Sequence, residues 1–183
     1  MTQLWKWFLR LSGWNTSVEF PYHHLPKFVI IVGSHTSNWD FIIGLAYRTI
    51  LGLQYVRFLG KKELFRPPFG WVFRWLGGIP VDRRQRSNLV EEASRLFKSQ
   101  GRFAIALSPE GTRSKVEKLR TGFYYIASQS QVPIVMVGLD YANKTLVFGE
   151  AFMPANLEQD FDKIYRFYSP ILAKYPGQGI TAP

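Results

Sequence analysis

Residues 28–40 read FVIIVGSHTSNWD and join an apolar run to a polar segment. The run over 28–33 is continuous and rich in β-branched residues, which is typical of a strand buried on both faces. Positions 36–38 are Thr, Ser and Asn, the residue types favoured at a helix N-cap. The segment therefore predicts a buried strand that leads directly into a helix.

His35 and Asp40 lie on either side of the predicted helix start. On a regular helix, side chains five residues apart point about 140° away from each other. The two side chains can meet only if His35 precedes the helix and Asp40 lies in its first turns. We predict that Asp40 binds one ring nitrogen of His35 and leaves the other nitrogen as a base. The alternative is a purely structural hydrogen bond, the more common role of an isolated His near an Asp.

The rest of the chain alternates strand-like and helix-like segments. This alternation predicts an α/β fold, namely a single-domain αβ sandwich over residues 1–183 with a mixed, mostly parallel sheet flanked by helices. The predicted strands are 28–33, 55–60, 103–107, 133–139 and 145–148. The predicted helices are 39–51, a short one from Pro67-Pro68 to about Leu76, 88–99 with Asn88 and Glu91 as a capping box, 120–130 and 157–168.

The composition indicates which classes of partner the protein can bind and which kinds of chemistry it can perform. Lys and Arg total 23 against 13 Asp and Glu, so the formal net charge is +10 and the sequence pI is about 9.9. This balance favours an anionic partner: nucleic acid, an anionic membrane surface or a phosphorylated substrate. The basic residues are dispersed and match no nucleic-acid motif, so we expect no nucleic-acid partner. The absence of Cys excludes disulfides and thiolate nucleophiles, and with three His residues we expect no metal site.

The pattern of apolar and polar positions in residues 1–15 predicts an amphipathic, Trp-rich N-terminal helix. Two interpretations are open: the helix lies in a membrane interface, or it packs on the domain. No apolar segment reaches the roughly 20 residues that a transmembrane helix needs. We therefore expect a peripheral protein at the cytoplasmic face of the membrane. The apolar side of the helix contains Leu4, Trp5, Trp7, Phe8, Leu11 and Trp14, and the polar side Gln3, Lys6 and Arg10.

Polar residues also follow later segments of the chain. Arg83 lies shortly after a Gly-Gly break, and residues 110–113 come after the predicted strand 103–107. Open α/β sheets bind their ligands at such strand ends. Arg83 and Arg113 suit a phosphate, and Gly111 allows a ligand to approach the backbone. The ordinary alternatives are surface Arg residues and a solvated turn containing a Glu–Arg pair.

Four blocks of residues occur in an order that makes the interpretation specific. In this order they resemble the glycerolipid acyltransferase family, which includes the 1-acylglycerol-3-phosphate acyltransferases. The likeness covers about residues 28–140 and extends through Lys61-Lys62 and Arg120-Thr121-Gly122. The blocks are His35 with Asp40 in a His-x4-Asp spacing, Gly78 to Arg83, Glu110 to Ser114, and Val132 to Val135.

The resemblance implies an enzyme that moves a fatty acyl group from acyl-CoA or acyl-carrier protein to a hydroxyl of a lysophospholipid or glycerol phosphate. It implies 1-acylglycerol-3-phosphate as the default lysolipid acceptor, His35 as general base and Asp40 as its orienting partner. No cofactor is expected besides the acyl donor. The implied substrate-binding residues are Lys61, Arg83, Glu110, Gly111, Thr112 and Arg113, and the implied lining of the acyl site is Pro133 and Ile134.

Some details differ from the family or stay open. Ser34 stands where many members have Asn. Glu110 either binds the glycerol or holds the Arg113 loop, and backbone amides after His35 or near Gly111 are candidate oxyanion donors. Two other functions remain: a hydrolase that passes the acyl group to water, and a non-enzymatic basic module that binds membranes.

Overall fold

The computed structural model describes residues 1–81 and 86–180. Within these ranges six strands form one sheet in the order β3-β2-β4-β1-β5-β6. All neighbouring pairs are parallel except β5 and β6, which form an antiparallel pair. The predicted mixed, mostly parallel sheet is therefore confirmed. The strands are β1 Lys27–Gly33, β2 Val56–Lys61, β3 Gly78–Val81, β4 Phe103–Leu107, β5 Ile134–Asp140 and β6 Thr145–Phe148.

Helices cover both faces of this sheet, as an α/β fold requires. Two 3-10 turns, Lys62–Phe65 and Pro176–Gln178, complete the regular structure of the described residues. The helices are α1 Thr2–Leu11, α2 Asn38–Ile50, α3 Gly70–Trp75, α4 Arg86–Ser99, α5 Gly122–Ser130 and α6 Leu157–Tyr168.

Strand β1 contributes to a separate core on each face of the sheet. Val29 and Ile31 pack with residues of α4, α5 and α6, whereas Phe28 and Ile30 pack with residues of α1 and α2. Alternate residues of a strand point to opposite faces, so a continuous apolar run feeds both cores. Each fully buried side chain of this size stabilises the fold by about 1.5–3 kcal/mol. The central position of β1 thus follows from its sequence.

The carboxyl ends of the five parallel strands meet at one edge of the sheet. The register pairs Gly33 of β1 with Gly138 of β5, and Ile31 of β1 with Leu107 of β4. Lys61 ends β2 at the same edge. We call this the carboxyl edge, and every segment that leaves it begins close to its neighbours, since adjacent strands lie about 4.8 Å apart.

Three elements of the structure differ from the prediction, and the first is a strand that was not predicted. Residues Gly78–Val81 form an edge strand, because Pro80 is tolerated where a strand has a neighbour on one side only. Helix α3 begins at Gly70, after the cis Pro67-Pro68 bond, instead of at the prolines. Helix α4 is Arg86–Ser99, which places Asn88 inside the helix, and the side chain of Asn88 that the predicted capping box needs lies outside what the structure describes.

Helix α1 packs on the domain and still exposes apolar side chains. Leu9 is fully buried. Trp14, which we placed on the apolar side of the predicted helix, is buried as well. Leu4, Trp7 and Leu11 are exposed along one side of the helix, at spacings of three and four residues. One side of the helix thus packs on the domain, and contact of its exposed side with a membrane interface stays a prediction. None of the helices in the two described ranges has the length and apolarity needed to cross a bilayer.

Candidate active site

The segment from β1 to α2 places His35 and Asp40 on either side of a helix start. Ser37 is the N-cap of α2, and its Oγ accepts a hydrogen bond from the Trp39 amide at 3.1 Å. Asp40, three residues later, completes a capping box by accepting the Ser37 amide on Oδ2 at 2.7 Å. Both contacts satisfy amides that a helix start leaves without partners. The local sequence therefore turns the Asp40 carboxylate back toward His35.

His35 and Asp40 form a close pair at the carboxyl edge. His35 Nδ1 lies 3.2 Å from Asp40 Oδ2, and this Oδ2 also accepts the Thr36 amide at 2.7 Å. The Asp40 side chain is 1% exposed and that of His35 is 24% exposed. The predicted geometry is confirmed: His35 precedes the helix and Asp40 lies in its first turn within reach. Nε2 is the ring nitrogen that does not face Asp40.

The surroundings of Asp40 favour its ionised form. Burial raises the pKa of this carboxyl, but hydrogen bonds from His35, Tyr141 and Ser37 lower it, and the net pKa is below its ordinary value. A carboxylate that receives several hydrogen bonds is stabilised in its charged form. Asp40 therefore supplies a fixed negative charge beside the imidazole.

Glu110 is a buried carboxylate that holds the main chain of His35. Its Oε1 accepts the His35 amide at 2.9 Å, and its Oε2 accepts the Ser108 hydroxyl at 2.6 Å. The residue is 2% exposed, and burial raises its pKa even though the hydrogen bonds from Ser108 and His35 lower it. The Ser108 contact lies within the loop that carries Arg113, and the His35 contact joins this loop to the segment after β1. Binding of glycerol by Glu110 stays a prediction.

The rest of the Glu110 loop is open to solvent. Thr112 and Arg113 are exposed, as is Lys61 at the end of β2. Gly111 has φ +68°, and a Cβ at this position would lie 3.1 Å from Cγ of Arg120. Both the backbone conformation and the nearby side chain therefore favour glycine. The loop follows β4, and Lys61 ends β2. These two strands are neighbours in the sheet.

The predicted lining of the acyl site stands apart from this cluster. Arg83 lies outside the described residues. Pro133 and Ile134 are at the amino end of β5, where Ile134 pairs with Val29 and is fully buried. The structure does not bring Pro133 and Ile134 to the carboxyl edge, so their contact with an acyl chain stays a prediction.

Four of the backbone amides considered as oxyanion donors already have partners. The amides of His35, Thr36 and Ser37 bind the carboxylates of Glu110 and Asp40. The Gly111 amide donates to the Ser108 carbonyl at 3.1 Å. These four amides stabilise the loop conformations at the carboxyl edge.

Sequence reasoning missed the residues that support the dyad from distant parts of the chain. Tyr141, directly after β5, donates its hydroxyl to Asp40 Oδ1 at 2.5 Å. The chain after α6 also contributes, because the Tyr175 amide donates to Thr36 Oγ1 and the Ile180 amide to Ser34 Oγ. The available signal for Tyr141 was its position two residues after the predicted buried strand 133–139.

Comparisons with known proteins agree with this arrangement. A family model described as Acyltransferase matches residues 21–140, which include the dyad, the Glu110 loop and β5. The chain is 29% identical over 132 residues to a 1-acyl-sn-glycerol-3-phosphate acyltransferase of Streptococcus pneumoniae, covering 68% of this chain and 48% of that protein. It is 32% identical over 116 residues to the human 1-acyl-sn-glycerol-3-phosphate acyltransferase beta, covering 59% of this chain and 40% of that protein. The chain thus spans about half or less of the length of these two relatives.

One solved structure shares the fold. The 1-acyl-sn-glycerophosphate (LPA) acyltransferase PlsC from Thermotoga maritima superposes with a TM-score of 0.61 and 20% sequence identity. The match covers 91% of this chain and 74% of that protein. At this identity the likeness concerns the fold.

Proposed function

This chain belongs to the acyltransferase family, and we propose that it is a glycerolipid O-acyltransferase. It moves a fatty acyl group from acyl-CoA or acyl-carrier protein to a hydroxyl of a lysophospholipid or glycerol phosphate. The default acceptor is 1-acylglycerol-3-phosphate, the substrate in the names of the similar pneumococcal and human proteins. The observation that carries the proposal is the His35–Asp40 pair at the carboxyl edge.

His35 acts as the general base in the proposed reaction. Its Nε2 takes the proton of the acceptor hydroxyl while the hydroxyl oxygen attacks the thioester carbonyl carbon. A carbon–oxygen bond forms and the carbon–sulfur bond breaks, with its electron pair leaving on sulfur. The proton on His35 then passes to the thiolate, so the base is regenerated. The partial exposure of His35 supports this role, because an acceptor can reach the ring.

Asp40 orients the imidazole and stabilises its protonated form. The Nδ1–Oδ2 distance of 3.2 Å fits a neutral His35 that donates from Nδ1 and keeps the Nε2 lone pair for the acceptor. The carboxylate becomes more important when the ring is charged, as in a Ser-His-Asp triad in which the acceptor hydroxyl replaces Ser. A thiolate leaves readily, so the transfer is direct and requires no acyl-enzyme and no cofactor.

Exposed cations at the carboxyl edge supply the phosphate site of the proposal. Lys61 ends β2 and Arg113 follows β4, and these strands are neighbours in the sheet. Arg113 offers two parallel donors to phosphate oxygens, and Lys61 a point charge. Thr112, next to Arg113 in the chain, adds a hydroxyl, and Arg83, which follows β3 along the chain, is the third cation of this proposal.

The lipid acceptor implies a membrane surface as partner. Trp7 with Leu4 and Leu11 forms an exposed apolar stripe on α1, which suits the boundary between headgroups and acyl chains. The net charge of +10 favours an anionic surface. We propose peripheral attachment at the cytoplasmic face of the membrane through this stripe.

The test compares the wild type with His35→Ala and with His24→Ala, an exposed His outside the site. Purified proteins receive labelled acyl-CoA or acyl-carrier protein together with a panel of lysolipids and glycerol phosphate. Mass spectrometry identifies the acylated product. We expect transfer by the wild type and by His24→Ala, and loss of transfer in a folded His35→Ala variant.

Two results would contradict the proposal. Near-normal turnover by folded His35→Ala removes the residue from catalysis. Free fatty acid as the main wild-type product, with every acceptor present, identifies a hydrolase instead.

A further inference from the structure

The carboxylate of Asp40 has a different partner on each oxygen. Oδ2 faces His35 and accepts the amides of Thr36 and Ser37, at 2.7 Å each. Oδ1 accepts the hydroxyl of Tyr141 at 2.5 Å. We propose that Tyr141 is a positioning residue. It is the third member of the hydrogen-bonded chain His35–Asp40–Tyr141, and it keeps Oδ2 directed at the imidazole. This inference rests on the proposed acyl transfer.

Tyr141 acts as a donor in this contact, and Asp40 as the charged acceptor. Burial raises the pKa of Tyr141, and the hydrogen bond and the charge of Asp40 raise it further, so the phenol keeps its proton. The same hydrogen bond lowers the pKa of Asp40. A hydrogen bond to a charged, buried group is stronger than one between neutral groups.

The position of Tyr141 is fixed independently of Asp40. Its amide donates to the Leu172 carbonyl at 2.9 Å, and its ring meets Trp14 edge-on with centroids 5.0 Å apart. The turn after β5 is held by Asp140, whose Oδ1 accepts the Ala142 amide at 2.9 Å. A hydroxyl on such a rigid support can orient a carboxylate instead of following it.

Three titratable or charged groups besides Asp40 lie around the phenol, on the elements packed against it. Lys144 Nζ lies 5.5 Å from the centre of the Tyr141 ring and 5.7 Å from that of Trp14. Tyr175, in the segment after α6, acts on Tyr141 electrostatically. His35 lies on the far side of the Asp40 carboxylate. Among Asp40 and these three groups, Asp40 is the one that accepts the hydrogen bond of the phenol.

Loss of the hydroxyl would affect the dyad in two ways. The Asp40 side chain is 1% exposed, so its Oδ1 would be buried without the donor that it now has. The carboxylate would lose one of the contacts that fix its rotation. The pKa of Asp40 would rise, since one of the hydrogen bonds that lower it is gone.

The test is Tyr141→Phe, with Tyr47→Phe as the matched control. The Tyr47 ring is buried and also meets Trp14, but its hydroxyl donates to the Asn15 carbonyl at 2.6 Å. For Tyr141→Phe we expect kcat to fall about 10- to 100-fold with the acceptor KM nearly unchanged. Tyr47→Phe should keep the wild-type kcat and KM.

A second measurement separates this inference from the proposed function. The carboxyl carbon of Asp40 is titrated by NMR in the wild type and in both variants, and its midpoint should rise in Tyr141→Phe alone. If the wild type transfers no acyl group, the proposed function fails and this titration still decides the contact. The inference is overturned by an unchanged Asp40 midpoint, or by an equal loss of kcat in Tyr47→Phe.

Discussion

At the scale of single residues, Asp40 links the start of a helix to the candidate catalytic pair. One oxygen, Oδ2, accepts the Ser37 amide of the capping box and also faces Nδ1 of His35. The conformation that satisfies the helix start is therefore the conformation that orients the imidazole. A substitution at Asp40 should change stability and turnover together.

Asp40→Asn tests this link through the pH dependence of stability. The pKa of Asp40 in the folded protein is below 3.8, its ordinary value, so the ionised form is favoured by folding. Its contribution to the free energy of unfolding is present above pH 3.8 and is lost as the pH falls through the folded pKa. We expect the wild-type advantage over Asp40→Asn to shrink as the pH drops from 6 toward 3, measured by denaturant unfolding.

The same variant should lose turnover at neutral pH. An amide in place of the carboxylate cannot stabilise the imidazolium and presents a donor toward Nδ1. We expect kcat to fall by at least about 100-fold, since the analogous change in a Ser-His-Asp triad costs about 10,000-fold. A kcat within threefold of the wild type would show that Asp40 has a structural role only.

Arg113→Ala tests the phosphate site. Arg113 is exposed in the loop after β4, so its removal should leave the free energy of unfolding within about 0.5 kcal/mol of the wild type. We expect an increase in KM for a phosphate-bearing acceptor and a smaller change for an acceptor without phosphate. Equal KM values for wild type and variant would remove Arg113 from the site. Lys118→Ala, in the same exposed segment, is the control.

At the scale of elements, the N-terminus of α2 determines how the dyad is held. The Ser37 hydroxyl accepts the Trp39 amide, and the two ends of the capping box support each other. Ser37→Ala should lower the free energy of unfolding by about 1 kcal/mol. Because the Ser37 amide still binds Asp40, we expect kcat to fall less than in Asp40→Asn.

The control for Ser37→Ala is a cap on another helix. Asn156 is the N-cap of α6, and its Oδ1 accepts the Gln159 amide at 3.1 Å. Asn156→Ala should lose a similar amount of stability in the same unfolding assay and keep the wild-type kcat. An equal fall of kcat in both variants would mean that activity follows overall stability and not the α2 cap.

At the scale of the whole molecule, charge and exposed apolar surface together predict binding to anionic vesicles. Trp7 is 61% exposed on α1, and the chain carries a net charge of +10. We expect co-sedimentation with vesicles containing anionic lipid, weaker binding at high salt, and weaker binding of Trp7→Ser. Tyr125→Ser is the control, because Tyr125 is 51% exposed on α5 and lies outside the stripe.

The vesicle experiment has a result that would reject the α1 stripe. If Trp7→Ser and the wild type bind vesicles equally well, attachment does not involve this part of the helix. The exposed side chains of α3, Trp71 and Trp75, would then be the next surface to replace with Ser.

The sequence by itself determined the elements and the local contacts of the site. The apolar run of β1, the capping residues of α2 and the five-residue spacing of His35 and Asp40 all act within a few residues. Hydrophobic periodicity and capping are local properties, so they can be read without knowing the fold. The edge strand β3 was missed because Pro80 and its Gly neighbours carry the pattern of a turn.

Only the tertiary structure decided which distant residues support the dyad. Tyr141 is 101 residues from Asp40 along the chain, and Glu110 is 75 residues from His35. Their contacts depend on the order of the strands, which places β4 and β5 on either side of β1. Local patterns carry no information on that order, because β1, β4 and β5 are apolar along most of their length and each fits several neighbours. Packing of the whole sheet selects the arrangement in which these side chains meet.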